Sequence, residues 1–142
     1  MQISKKADYA LRAMAILAAL PPDRTMQAQE LAEVGKVPIK FLEQILLTLK
    51  RAGLLFSKRG VGGGYRLNRE SRRISVAEVI EAVDGELVRL LDPSAYPDFT
   101  GSAGIRHCLA EAEKAINDRF SETTIEDLIR SEEGDSMAGY GI

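Results

Sequence analysis

Apolar residues recur at helical spacing along much of the chain, and one stretch shows the pattern most clearly. Its apolar positions follow the i, i+3, i+4, i+7 rule of a helix with one buried face, at Leu42, Ile45, Leu46 and Leu49. Pro38 suits the first turn of such a helix, where its missing N–H costs nothing, and Gly53 suits its C-terminal end. The pattern predicts an amphipathic helix over residues 38–52.

Two helices are predicted before this one, over residues 3–20 and 25–34. Ser4 has the side chain of an N-cap for the first of them. Gly35 stands in the turn between the second and third helices. Two short helices joined by such a turn fit the helix-turn-helix pattern, whose second helix enters the major groove of DNA.

The outward face of the helix 38–52 carries candidate base-contacting side chains. If the apolar stripe is buried, Lys40, Glu43 and Gln44 face solvent. A lysine can pair with phosphate or guanine, a glutamine with adenine, and a glutamate with the N4 amine of cytosine. The alternative is an ordinary solvated helix face. Phe41 is expected to belong to the core rather than to stack on a base.

A glycine-rich, basic hairpin is predicted directly after this helix, with strands over 54–58 and 64–68. Its tip has the sequence RGVGGG, and glycines permit positive φ and a close approach to another surface. The tip is not a phosphate-binding P-loop, because the lysine and hydroxyl residue of that motif are absent and no helix follows. Arg59 is placed to enter the minor groove, with Lys58 and Arg66 on the flanking phosphates. The predicted contact set of the hairpin is Lys58, Arg59, Gly62, Gly63, Tyr65 and Arg66.

A helix-turn-helix followed by a basic hairpin is the outline of a winged helix-turn-helix, which predicts binding to double-stranded DNA. The formal net charge of −2 hides an asymmetry that supports this. Residues 36–73 hold ten basic and two acidic side chains, a net of +8, whereas residues 74–142 hold five and fifteen, a net of −10. Local sign decides whether a surface meets phosphate. The alternative is a solvated basic face without a ligand.

Three further helices are predicted beyond the hairpin. Ser75 and Glu78 form a capping box that opens the first. Helical spacing returns over 105–120, and Thr124 opens a last short helix. A long helix outside the DNA-binding unit is most economically a dimerisation helix, because such proteins usually read two half-sites. The predicted fold is mostly α with a small β-hairpin, divided into a winged helix-turn-helix domain at 1–84, a connecting loop at 85–104, dimerisation and terminal helices at 105–130, and a flexible tail at 131–142.

Composition narrows the class of protein. With 142 residues that are 45% apolar, the chain fits one small domain with an appended helix. The single cysteine excludes an internal disulfide framework and a thiolate-only metal site within one chain. No apolar run approaches a membrane span and the N-terminus lacks the apolar core of a signal peptide, so we expect a cytoplasmic protein. With one histidine, one cysteine and no nucleophile elbow, we do not expect an enzyme.

These features together resemble the Rrf-two family of bacterial winged-helix regulators. The resemblance covers most of residues 1–130, and its most specific part is the hairpin motif RGVGGGY. The matching segments are SKKADYA at 4–10, FLEQ at 41–44, residues 49–54, RGVGGGY at 59–65 and ISVAEVIEAVD at 74–84. The resemblance implies a homodimeric transcription factor whose helix 38–52 lies in the major groove and whose wing enters the minor groove.

Some members of that family hold an iron–sulfur cluster through three cysteines between the fourth helix and the long helix. Here Cys108 alone stands in that region, and a cluster normally needs four mostly thiolate ligands. The chain therefore more closely resembles the cluster-free members, with Cys108 as a half-buried helix residue or a redox-sensitive thiol. The alternative is a cluster shared across a dimer through Cys108, His107 and Asp8. Asp8 resembles a carboxylate ligand of some relatives, but it also suits a helix N-terminus.

The last residues suggest a partner enzyme. In the cysteine synthase complex, serine acetyltransferase inserts a C-terminal isoleucine into the active site of O-acetylserine sulfhydrylase. The resemblance to cluster-free members, which are cysteine-metabolism repressors, implies the same enzyme as a sensor of cysteine supply. This sequence finishes with Gly139, Tyr140, Gly141 and Ile142. We hypothesise that Ile142 docks into O-acetylserine sulfhydrylase and that O-acetylserine competes with it, the alternative being a tail without such a role.

Overall fold

A computed structural model describes residues 2–130 and confirms a mostly helical fold with a small hairpin. The five long helices of this range are α1 (Lys5–Ala18), α2 (Ala28–Gly35), α3 (Ile39–Arg51), α4 (Val76–Asp84) and α5 (Ser102–Glu122). The strands β1 (Leu55–Lys58) and β2 (Gly64–Leu67) pair antiparallel, with Leu55 opposite Leu67. Short 3-10 turns occupy Ser71–Arg73 and Pro93–Ala95, and residues 125–130 are also helical.

The core lies where α1, α2, α3 and the hairpin meet. The predicted stripe of α3 is confirmed, since all four of its residues are buried. They pack with the buried faces of the neighbouring elements, among them Met14, Leu17, Leu31, Leu54 and Val79. Ile125, from the last helical segment, is fully buried in the same core. Just before that segment, the Thr123 carbonyl accepts a hydrogen bond of 2.8 Å from the Val76 amide at the start of α4.

Two predicted caps are confirmed. The Ser4 hydroxyl oxygen accepts a hydrogen bond of 2.9 Å from the Ala7 amide, so α1 begins at Lys5 rather than at residue 3. The same hydroxyl lies 2.8 Å from both carboxylate oxygens of Asp84, which joins the start of α1 to the end of α4. Ser75 and Glu78 form the capping box of α4.

Two further predicted helix starts are wrong, besides that of α1. The second helix begins at Ala28 rather than at residue 25, because the backbone of Met26 pairs with that of Tyr65 in β2. The long helix begins at Ser102 rather than at residue 105. Its buried Ser102 hydroxyl accepts from the Phe99 amide and its N-cap is a glycine with φ of 97°.

Helix α5 packs on the body near its C-terminal end, where Phe120 contacts the buried cluster of Ala7, Val76 and Ile80, and most of its other residues are exposed. Ser102 is its one buried residue in the described chain, and Ile105 on its predicted apolar stripe is 39% exposed. Side chains of α5 hold the extended segment after α4: the Asn117 amide group bonds both the N–H and the carbonyl of Val88, at 3.0 and 2.9 Å. No helix in residues 2–130 has the length and apolar character that crossing a membrane requires.

Candidate DNA-binding surface

Helix α3 exposes a polar face opposite its buried stripe. Lys40, Glu43 and Gln44 lie on that exposed face, as the periodicity predicts. Leu47 and Arg51 are exposed on the same face, three and seven residues after Gln44. These two residues were not named from the sequence, although the same helical spacing places them on this face.

Phe41 is not a core residue, which corrects the prediction. It is 41% exposed, and its ring packs edge-on against Tyr9 with centroids 5.5 Å apart. Position 41 falls at the margin of the buried stripe, so its ring reaches the side of α1 instead of the interior. With Lys6, Lys40 and Gln44 it lines a shallow hollow beside the polar face of α3.

The hairpin forms a wing with a tight turn at its tip. The Gly63 amide donates to the Gly60 carbonyl at 2.9 Å, and Gly62 inside the turn has φ of 75°. Val61, at the tip, is fully exposed and was not singled out from the sequence, although an apolar side chain inside a glycine run is itself a signal. Lys58, Arg59 and the tip therefore face solvent together.

Other predicted contacts of the wing are less accessible. Gly63 is buried, and a Cβ there would lie 2.3 Å from the Lys58 carbonyl oxygen, so this glycine is required inside the wing. Tyr65 is partly buried against the core. Arg66 donates to Asp23 at 3.2 Å and lies over the Phe56 ring at 4.7 Å, so it has an acidic partner already. Its contact with phosphate stays a prediction.

The three candidate ligands of an iron–sulfur cluster, Asp8, His107 and Cys108, make different contacts in the structure. Both carboxylate oxygens of Asp8 accept from Arg12, at 3.1 and 2.8 Å, and these bonds raise the pKa of Arg12. His107 lies 3.2 Å from Glu111 on the surface of α5. Cys108 is exposed, not half-buried. Within residues 2–130 of one chain, no three histidine, cysteine or acidic side chains come close enough to hold a metal ion. The single cysteine of the chain supplies fewer thiolates than an iron–sulfur cluster normally needs.

The helices α2 and α3, with the wing beside them, define a winged helix-turn-helix protein of the DNA-binding class. Residues 3–131 match the Rrf2 family, which is described as an iron-dependent transcriptional regulator. The chain belongs to this family. The suggested partner residues Gly139, Tyr140, Gly141 and Ile142 lie outside the described residues.

The proteins similar to this chain include one named IscR and one named as a cysteine regulator. A protein of Aquifex aeolicus named as an HTH-type transcriptional regulator is 36% identical over 138 residues, which cover 94% of each chain. The HTH-type transcriptional regulator IscR of Xenorhabdus nematophila is 31% identical over 94% of this chain and 82% of its own. The structure of CymR, the global cysteine regulator of B. subtilis, is similar with a TM-score of 0.80 at 27% identity, covering 92% of this chain and 98% of that one. These relatives are named as regulators, not as enzymes.

Proposed function

We propose that this regulator reads a specific operator as a homodimer, with α3 in the major groove and the wing in the minor groove. The observation that carries the proposal is the exposed polar face of α3, at Lys40, Glu43 and Gln44. Beside it lies the wing, which exposes Lys58 at the end of β1 and Arg59 at the tip. Residues 36–73, which contain both elements, have a net charge of +8. Such a surface suits phosphate contacts that position the protein and base contacts that select the sequence.

The homodimer is proposed from the exposure of α5. A 21-residue helix with one buried residue gains stability when a second copy covers its apolar side. This assigns 1–84 to DNA binding and, within 105–130, the helix α5 to dimerisation, whereas the terminal segment packs into the core through Ile125. Sedimentation equilibrium is expected to give a dimer for the intact chain and a monomer for Ile105→Lys. A monomeric intact chain would refute the assignment.

The test of base reading is a selection from a random duplex library, repeated with two variants. Gln44→Ala is expected to relax preference at one operator position, by about 1–3 kcal/mol for a lost bidentate contact. Arg59→Ala is expected to weaken binding of the selected operator. An equal loss on every sequence for Gln44→Ala would show that Gln44 does not read a base.

We propose cysteine or sulfur metabolism as the regulated process, with O-acetylserine sulfhydrylase as the sensing partner. The similarity to a structure named as a cysteine regulator supports the process, and the Gly-Ile at 141–142 supports the partner. Calorimetric titration of that enzyme with the protein, intact and lacking Ile142, tests this. Binding that requires Ile142 and that O-acetylserine displaces is expected, and an intact protein that does not bind would contradict the partner.

The second candidate is a regulator that senses iron or thiol redox state. The family description and the similarity to IscR favour it. Against the cluster stands the donor set, since one cysteine per chain supplies too few thiolates. Anaerobic purification followed by a visible spectrum and iron analysis separates the two candidates: a colourless protein without iron would refute a cluster. A thiol switch at the exposed Cys108 is tested by operator affinity before and after mild oxidation, compared with Cys108→Ser.

A further inference from the structure

The wing tip is hydrogen-bonded to the loop between α1 and α2. The Thr25 hydroxyl lies 3.0 Å from the Gly62 carbonyl oxygen and 3.1 Å from that of Gly63, and its single proton is shared between them in a bifurcated hydrogen bond. Thr25 is partly buried, and it is 37 and 38 residues away from its two partners along the chain. It lies outside the helix-turn-helix and carries none of the predicted DNA contacts.

The contacts around Thr25 show why this hydroxyl matters for the shape of the wing. The next residue, Met26, exchanges two backbone hydrogen bonds with Tyr65, at 3.0 and 2.8 Å. Those bonds hold the start of β2, directly after the turn, but they include none of the turn residues 60–63. The tip is rich in glycine, the residue that loses the most backbone conformational entropy when it is ordered. Thr25 supplies the side-chain bond that restrains it.

We infer that Thr25 is a positioning residue for DNA recognition: its hydroxyl holds the Gly62–Gly63 backbone so that Arg59 and Val61 meet the minor groove in one orientation. This inference rests on the proposed placement of the wing. Without the hydroxyl, the tip must be ordered when DNA binds, and that entropy lowers the affinity. The loss falls on the wing and spares the contacts of α3.

The experiment compares Thr25→Val, which keeps the shape and removes the hydroxyl, with Thr25→Ser, which keeps the hydroxyl. Thr123→Val is the matched control, because the Thr123 hydroxyl also donates to a backbone carbonyl, that of Arg119, at 2.7 Å. The backbone of Thr123 is bonded to the start of α4 and not to the wing. The probe is an operator chosen by selection, with A·T pairs at its flanks. Dimethyl sulfate then reports both grooves in one complex, through guanine N7 in the major groove and adenine N3 in the minor groove.

Thr25→Val is expected to bind roughly 3- to 10-fold more weakly, the factor that one net hydrogen bond represents. It should lose protection of adenine N3 at the flanks while keeping protection of guanine N7. Thr25→Ser and Thr123→Val should match the unmodified protein in operator affinity and in the protection of adenine N3 and guanine N7. Because the two protections are compared within the same complex, a general loss of stability does not produce this pattern.

Three results would overturn the inference. Thr25→Val could keep its affinity and its adenine protection, or it could lose both protections equally, and either would show that the hydroxyl does not act through the wing. An unmodified complex that leaves adenine N3 unprotected would refute the placement of the wing, and the inference with it. A protein that selects no duplex at all would instead refute the proposed function, which the selection step reveals before any variant is made.

Discussion

Gly64→Ala is expected to detach the wing from the helical body. Gly64 has φ of 135°, and a Cβ built on it would lie 2.6 Å from both the carbonyl carbon and the oxygen of Met26. Both contacts are backbone atoms, so no side-chain rotation relieves them. The alanine therefore either strains the chain or separates β2 from Met26.

The two routes set the size of the effect. Separating β2 from the loop at Met26 loses the two backbone hydrogen bonds between Met26 and Tyr65, at about 0.5–1.5 kcal/mol each. Keeping them requires a residue with a side chain in a sparsely populated backbone region, at about 1–3 kcal/mol, besides the overlap with Met26. The variant takes the cheaper route, so we expect a loss of about 1–3 kcal/mol, localised at the contact between Met26 and β2.

Gly62→Ala is the matched control within the same wing. Gly62 also has positive φ, at 75°, but a Cβ there has nothing within 4 Å, so the control carries backbone strain without overlap. Amide hydrogen exchange at Met26 and Tyr65 is the local measurement, and urea unfolding is the global one. Exchange at both amides should accelerate in Gly64→Ala and stay close to normal in Gly62→Ala. Equal exchange in the two variants would refute the reasoning.

Three further predictions concern other contacts. Asp23→Asn removes the acidic partner of Arg66, which then becomes available to a phosphate. Operator binding should tighten, and the slope of log affinity against log salt should steepen by about 0.9, the value for one added phosphate contact. An unchanged slope in fluorescence anisotropy titrations would contradict this. Ser75→Ala removes the capping box of α4 and should lower the free energy of unfolding by about 0.5–2 kcal/mol, measured by urea denaturation, whereas no change would show that the cap is dispensable. Hydrogen bonds from Thr124, first that of its backbone amide, lower the pKa of Asp127. This carboxylate therefore contributes stability above the ordinary aspartate pKa and loses it as the pH falls through its folded-state value. Asp127→Asn should flatten the acid side of the curve of thermal stability against pH, and an unchanged curve would contradict this contribution.

Local signals explain what the sequence predicts correctly. The stripe of α3, the cap at Ser4 and the capping box at Ser75 each depend on residues within a few positions of one another, and the structure contains them. The glycine run similarly predicts a hairpin because the turn is formed by neighbouring residues. Such features follow from helical periodicity and capping chemistry alone.

Contacts between distant segments explain what was missed. The second helix starts late because Met26 pairs with Tyr65, and Arg66 is bonded to Asp23, 43 residues away. The tether from Thr25 to the wing has the same origin. No local pattern indicates these pairs, since each depends on how the α1–α2 loop meets the hairpin in three dimensions. The exposure of Cys108 likewise depends on α5 packing on the body near its C-terminal end.

The most direct test of operator recognition is the ratio of two affinities at physiological salt. One is for a duplex chosen by selection, and the other is for a shuffled duplex of the same length and composition. Sequence-specific DNA-binding proteins prefer their sites by typically 10³-fold or more, and we expect a ratio of at least about that size. Equal affinities would mean that the basic surface binds phosphate without reading bases, and would contradict the assignment of α3 as a recognition helix.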